Sequence, residues 1–238
     1  MKKYSLSEIE SKVIPQLQQA WGDKLLSVIA HGDCIRPEIG RRSHDSVQLA
    51  LILQENSLPV LKQGYETVQK FKKSNIEFTW FLTPEYIQET LDVFPLDYLN
   101  MQSAYKVLFG EDLLKDLFFE VADLRLQCER ELRGLMLHLR RETLTIPDKP
   151  KALLELLKIS LQNFLPVFRG VCQLTRKELI IEDQNVMQVL IEDLNLKSRM
   201  EDLSGEPPKE TISEVFATWV TDLEAIIAHI DQWVHEAS

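Results

Sequence analysis

The chain has 238 residues, eight of them Gly, and carries 27 Lys and Arg against 37 Asp and Glu, a formal net charge of −10 at pH 7. That length builds one large domain or two small ones. The acidity argues against bulk binding to a nucleic-acid backbone, which takes clustered Lys and Arg, and the scarcity of Gly excludes collagen-like and Gly-repeat chains. In chain order, residues 5–20 have helical spacing, with Ser5 or Ser7 as N-cap. Leu25 to His31 (LLSVIAH) is a short apolar run ending at Gly32 and reads as a buried strand. A turn-rich, charged loop spans 33–45, and Val47 to Leu53 (VQLALIL) is a second strand. Residues 58–73 are helical, with Lys70, Lys72 and Lys73 at the end where they complement the dipole. Ile76 to Leu82 (IEFTWFL) is a third strand, rich in β-formers. Thr83 and Pro84 open a helix as N-cap and first helical residue, and Pro95 opens another through Leu99.

The second half is helical. From Leu114 to Leu139, the residues Leu117, Val121, Leu124, Cys128, Leu132, Leu135 and Leu139 recur at steps of three and four, one apolar stripe. The next helix follows Pro147 and Pro150 with the stripe Leu154, Leu157, Leu161, Phe164 and Phe168, and Pro166 inside it is expected to kink or end it. Weaker helices fit 184–194 and 196–203, and the run 205–208 (GEPP) is the clearest linker. A capping box at Thr211 and Glu214 starts the last helix, whose seam is Ile212, Phe216, Trp219, Leu223, Ile226, Ile230 and Trp233. Such a seam buries within an intramolecular bundle or, failing that, in a homodimer.

Charge divides the chain. Residues 1–110 hold 12 basic and 13 acidic side chains, whereas 111–238 hold 15 and 24. With the punctuation at Gly110, this gives an expected domain at 1–112 and a second at 113–238. No run approaches ~18 apolar residues, so no membrane helix is expected. The N-terminal segment has two lysines with no apolar stretch behind them, unlike a secretory signal. Cys34, Cys128 and Cys172 show neither metal-ligand spacing nor a disulfide framework. A reduced, cytoplasmic protein is expected.

The residues from strand one to strand two, SVIAHGDCIRPEIGRRSHDSVQLALIL, resemble the nucleotidyltransferase superfamily of the kanamycin-nucleotidyltransferase and polymerase-β type. Members have a strand ending in Gly-Ser, a loop of about a dozen residues, Asp-x-Asp leading into a second strand, and often a third carboxylate on a later strand. The carboxylates hold the metal ions that orient an NTP for in-line attack, and the Gly-Ser turn meets its phosphates. Gly32 fits the turn glycine, but Asp33 follows where Ser belongs. Asp45 stands at the first carboxylate, Val47 at the second, or Gln48 if the register shifts by one, and Glu77 at the third. Asp33 would repel a triphosphate, and Val47 would remove a metal ligand. Asp45 and Glu77 are the metal-ligand candidates. The segments 92–114 and 122–144 further resemble a group of uncharacterised bacterial proteins with a C-terminal helical region.

The resemblance implies an α+β fold, a nucleotidyltransferase-like mixed-sheet domain followed by an all-α helical bundle. It implies a site at Gly32, Asp33, Asp45 and Glu77. The loop residues Arg41 and Arg42 are candidates for gripping a phosphate, against a solvated loop balanced by its own acids. His31 is a strand-end candidate base, against a histidine satisfied by a backbone group. Cys128 reads as core, and Cys34 as more exposed with no catalytic partner nearby. No residue is assigned as catalytic. The expected function is a nucleotidyltransferase-like protein that has lost catalysis and serves as a nucleotide-binding or protein-interaction module, regulatory in role. It requires no cofactor, with Mg and a nucleotide as the ligands the site admits. Its partner is a small nucleotide or another protein, not nucleic acid or membrane. The first alternative is an active Mg-dependent nucleotidyltransferase with an altered metal shell. The second is a HEPN-like ribonuclease or its regulator, from Arg133 and His138 at the R-x4-H spacing. Five residues of unbroken helix turn those side chains ~140° apart, so that reading needs a break at Gly134.

Overall fold

A computed structural model describes residues 2–32, 34–35, 46–180, 182–199, 202–203, 205, 207–209 and 211–233. By its contacts the chain forms two compact units, Met1–Val93 with Asp97–Phe119, and Phe94–Leu96 with Glu120–Ser238.

The first unit is a four-stranded sheet with helices. Ser5 caps α1 (Leu6–Glu8) in a reciprocal capping box with Glu8. The chain then passes through a π-helical turn (Ile9–Val13) into α2 (Ile14–Trp21). Strands β1 (Leu25–His31), β2 (Val47–Leu53) and β3 (Ile76–Leu82) have the bounds read from the sequence. Between β2 and β3 the helix divides at Gly64 into α3 (Leu58–Gln63) and α4 (Tyr65–Phe71). Thr83 caps α5 (Pro84–Glu89) by accepting from the Tyr86 N–H, and α6 (Pro95–Ser103) follows.

A fourth strand, β4 (Tyr105–Gly110), was absent from the sequence reading. The sheet order is β3-β2-β1-β4, with β1 antiparallel to β2 and β4, and β2 parallel to β3. One sheet face carries Val28, Ala30, Val47, Leu49 and Leu51, buried with Ile9, Val13, Leu17, Trp21, Val60 and Phe71 of the helices. Trp21 places its Nε1–H on the Val60 carbonyl at 2.9 Å, tying α2 to α3.

The second unit is helical. Its first helix, α7 (Val121–Thr145), starts seven residues later than the stripe suggested. Asp112 accepts from the Leu114 and Lys115 amides, and the Leu114 carbonyl accepts from Gln102, so 112–117 is held in a turn instead. Its buried stripe runs Leu124, Cys128, Leu132, Met136 and Leu139; Met136 takes the place expected for Leu135. The next helix, α8 (Pro150–Arg176), does not end at Pro166, which is exposed, but continues through it. After α9 (Asp183–Asp193), residues 196–199 are not helical. The Lys197 and Ser198 amides donate to the buried Asp222 carboxylate at 3.0 and 2.6 Å rather than to helix carbonyls. The remainder of the expected 196–203 helix and the 205–208 linker fall partly outside the described residues.

The last helix, α10 (Ile212–Gln232), begins without the expected capping box. Thr211 has helical φ and ψ, and its hydroxyl donates to the Pro208 carbonyl at 3.0 Å. From Ile212 to Ile230 the seam is buried within the chain: Trp219 meets Phe164 and Phe168 edge-on and donates to Ser160 Oγ at 2.8 Å. On its flank Arg133 pairs with Glu129 and Asp231, and Arg140 with Glu224. Among the described residues no helix is long and apolar enough to cross a membrane.

Candidate functional site

Strand β1 ends where its apolar run meets Gly32. This glycine has φ +82°, a conformation that L side chains rarely adopt. Its amide donates to the Ala104 carbonyl, and its own carbonyl accepts from the Ile35 amide, both at 3.0 Å. The turn is thereby tied to the start of β4. A Cβ at Gly32 would lie 2.6 Å from Gln48 Oε1, so the Gln48 side chain passes directly against the turn.

Strand pairing then lays out a polar row across the sheet. Glu77 on β3 pairs with Gln48 on β2, Gln48 with His31 on β1, and His31 with Tyr105 on β4. Residues paired across neighbouring strands share a face, so these four side chains lie on the face opposite the core that holds Val47. Val47 is 5% exposed and packs in that core. Of the two registers the sequence left open, Gln48 is therefore the residue on the site face.

The row's chemistry follows from its hydrogen bonds. His31 is buried, with Nε2 2.8 Å from Thr79 Oγ1. The Thr79 hydroxyl donates to the Leu49 carbonyl at 3.2 Å. It thus accepts from His31, which makes the imidazole the Nε2–H tautomer. Burial pushes the His31 pKa down to about 4, so the ring is neutral at pH 7; its partner is the Thr79 side-chain hydroxyl, not the backbone group expected. Tyr105 donates to Asp112 Oδ2 at 3.0 Å, and burial with that carboxylate raises its pKa to about 12. Glu77 is exposed, and no described side chain pairs with its carboxylate.

Of the six residues singled out in the sequence, Gly32 and Glu77 are brought to one end of this face. Asp33, Arg41, Arg42 and Asp45 lie outside the described residues. Thr79, Tyr105 and Asp112 were missed. The signal for Tyr105 was the alternation of Tyr105, Val107 and Phe109, a period-two pattern in a short segment after a helix. Thr79 carried no signal, because only strand pairing brings it beside His31.

A two-cation centre of the kind the resemblance implies needs several oxygen ligands with enough negative charge. Among the described residues the row supplies one carboxylate, Glu77, with the neutral Gln48 amide beside it; Asp33 and Asp45 lie outside them. Among the described residues, no three His, Cys, Asp or Glu side chains form a metal-binding group. The HEPN alternative loses its geometry: α7 runs unbroken through Gly134, Arg133 is engaged by Glu129 and Asp231, and His138 is exposed on another side of the helix.

No protein-family model matches the chain, and no curated protein matches it in sequence. Its fold is similar to the crystal structure of a spectinomycin adenyltransferase from Enterococcus faecialis with ATP and spectinomycin, at a TM-score of 0.52 and 12% identity. The similarity covers 97% of this chain and 99% of that one. The fold is nucleotidyltransferase-like: a mixed α+β sheet domain with a C-terminal helical region.

Proposed function

We propose that this protein is a nucleotidyltransferase-fold member that binds a nucleotide without transferring it, in a regulatory role, with an amide, Gln48, where the second metal-binding carboxylate belongs. One observation carries the reading: Gln48, a neutral amide, stands between His31 and Glu77 on the site face, against the Gly32 turn. The neighbouring fold supports the nucleotide; the enzyme from Enterococcus faecialis was solved with ATP. Catalysis by two cations needs charge at the Gln48 position, and an amide contributes a dipole in place of it.

The test is a pair of assays on the full chain. Calorimetric titration with ATP is expected to give binding that changes little between Mg and EDTA. Pyrophosphate release is expected to be absent over a panel of nucleoside triphosphates and hydroxyl or amine acceptors. Turnover that is lost in Asp45→Ala and Glu77→Gln would overturn the reading in favour of an active transferase with a rearranged shell.

A further inference from the structure

A charged surface of another kind lies on the first unit, where the N-terminal segment meets the turn from α4 into β3. Lys2 forms a parallel bridge with Ser74, and the Asn75 amide donates to the Lys2 carbonyl at 3.2 Å. The Asn75 side chain, 4% exposed, accepts from the Tyr4 amide at 2.7 Å and donates to the Tyr4 carbonyl at 3.1 Å. Tyr4 in turn meets Phe71 edge-on at 5.7 Å. This clamp brings Lys2 and Lys3 beside Lys70, Lys72 and Lys73. All five lysines are exposed, and the segments 2–4 and 70–75 contain no Asp or Glu. Lys2 Nζ stands 4.7 Å from the centroid of the Tyr4 ring and Lys70 Nζ 5.8 Å from that of Phe71, so two of the ammonium groups are seated on rings. Among the described residues, Lys2, Lys70, Lys72 and Lys73 have no carboxylate at ion-pair distance, and Glu8 is taken by Lys12. The stretch 33–45 adds no net charge, because Asp33, Glu38 and Asp45 are matched by Arg36, Arg41 and Arg42.

Like charges held together repel one another, and a partner with dense negative charge relieves that repulsion. The net charge of −10 does not decide such a contact, since at physiological ionic strength exposed charges more than about 8 Å away are largely screened. Lysine ammonium groups are point charges without the planar fork that reads base edges, so they suit phosphate oxygens. The patch has no open ring for a base to stack on, because Phe71 is 2% exposed and Tyr4 lies half-buried beneath Lys2. For the same reason its two segments present no exposed apolar side chain to a bilayer. A nucleic-acid duplex fits these facts. Its bases are already stacked, and it lines up about one phosphate charge per 1.7 Å with condensed counterions whose release favours binding. We propose that Lys2, Lys3, Lys70, Lys72 and Lys73 form a docking surface for the phosphate backbone of a nucleic-acid duplex, bound without regard to sequence. It departs from the expectation, drawn from net charge, that nucleic acid is no partner, and it is independent of the nucleotide-binding reading above.

The experiment is fluorescence anisotropy of a labelled DNA duplex of about 20 base pairs, titrated with the full chain between about 20 and 150 mM salt. Neutralising about four or five phosphates gives a slope of log K against log salt of about −4, alike for two unrelated sequences. Lys72→Gln/Lys73→Gln should bring the slope to about −2, and so should Lys2→Gln/Lys3→Gln. The two pairs lie on separate segments, so the test stands if one of them disturbs the fold. Lys149→Gln/Lys151→Gln removes the same charge from the helical unit and should leave the slope at about −4. Absence of binding at about 20 mM salt, a slope that the patch variants leave unmoved, or an equal fall in the helical-unit variant overturns the proposal. Tighter binding of the single strand, of phosphatidylserine vesicles or of poly-glutamate than of the duplex overturns it too, and names a different occupant for the patch.

Discussion

Gly32→Ala probes the turn at the site directly. Alanine at φ +82° is strained by about 1–2 kcal/mol, offset by about 0.4–1 kcal/mol from the reduced freedom of the unfolded chain. The new Cβ also meets Gln48 Oε1 at 2.6 Å, the far end of a flexible side chain. Turning Gln48 aside costs about 1 kcal/mol. The net loss is therefore about 1–2 kcal/mol. In Gly32→Ala/Gln48→Ala the clash is gone and the strain remains, so the double variant should be about 1 kcal/mol more stable than the sum of the singles. Amide hydrogen exchange along β1 and β2 reads the loss locally, apart from unfolding of the helical unit. Additivity within about 0.3 kcal/mol would refute the contact, and with it the placement of Gln48 against the turn. Gly110→Ala is the contrast: its Cβ would lie 1.8 Å from the Leu26 carbonyl oxygen, which no rotamer relieves. It should cost more than about 3 kcal/mol, and no second side-chain truncation should rescue it.

In the helical unit, Trp219→Ala should lose about 3–5 kcal/mol in thermal or urea unfolding, because the indole is wholly buried between Phe164 and Phe168. Trp219→Phe keeps a ring but drops the donor to Ser160, so Ser160→Ala should cost less in that background than in the native chain. Asp222→Ala leaves the Lys197 and Ser198 amides without their acceptor and should cost about 2–4 kcal/mol, with Asp222→Asn recovering part through its remaining oxygen. His31 titrates near 6.5 when unfolded and about 4 when folded, so between those values the unfolded chain binds more protons. Its contribution is fully present above about pH 6.5 and is lost as pH falls towards 4. From pH 7 to pH 5 the native chain should lose about 2 kcal/mol more than His31→Gln does, measured by denaturation at each pH. Equal losses would refute a buried neutral imidazole.

The strands β1, β2 and β3 were legible because each is an apolar run of seven bounded by turn residues, and α8 and α10 because their stripes keep one face buried for many turns. The end of α6, the strand β4 and the late start of α7 were not, since the pairing of β4 with β1, the bond from Gln102 to the Leu114 carbonyl and the bonds that Asp112 accepts decide them. At the site, Gly32 was legible as a lone glycine after an apolar strand. Whether Val47 or Gln48 faces it was not, because a strand's two faces alternate and only pairing with β1 and β3 says which face is the core.

By itself the sequence determined the charge of −10 and its concentration in the second half, and the order of strands and long helices. Those follow from composition and periodicity, which are local. The tertiary structure decided the β3-β2-β1-β4 order, the fourth strand and the polar row across it. It also decided that His31 is neutral, because burial and the Thr79 hydroxyl act on it from residues 48 positions away. The charge of −10 makes the protein acidic as a whole; the register of the sheet decides that the Glu77 carboxylate and the Gln48 amide share the face beside Gly32.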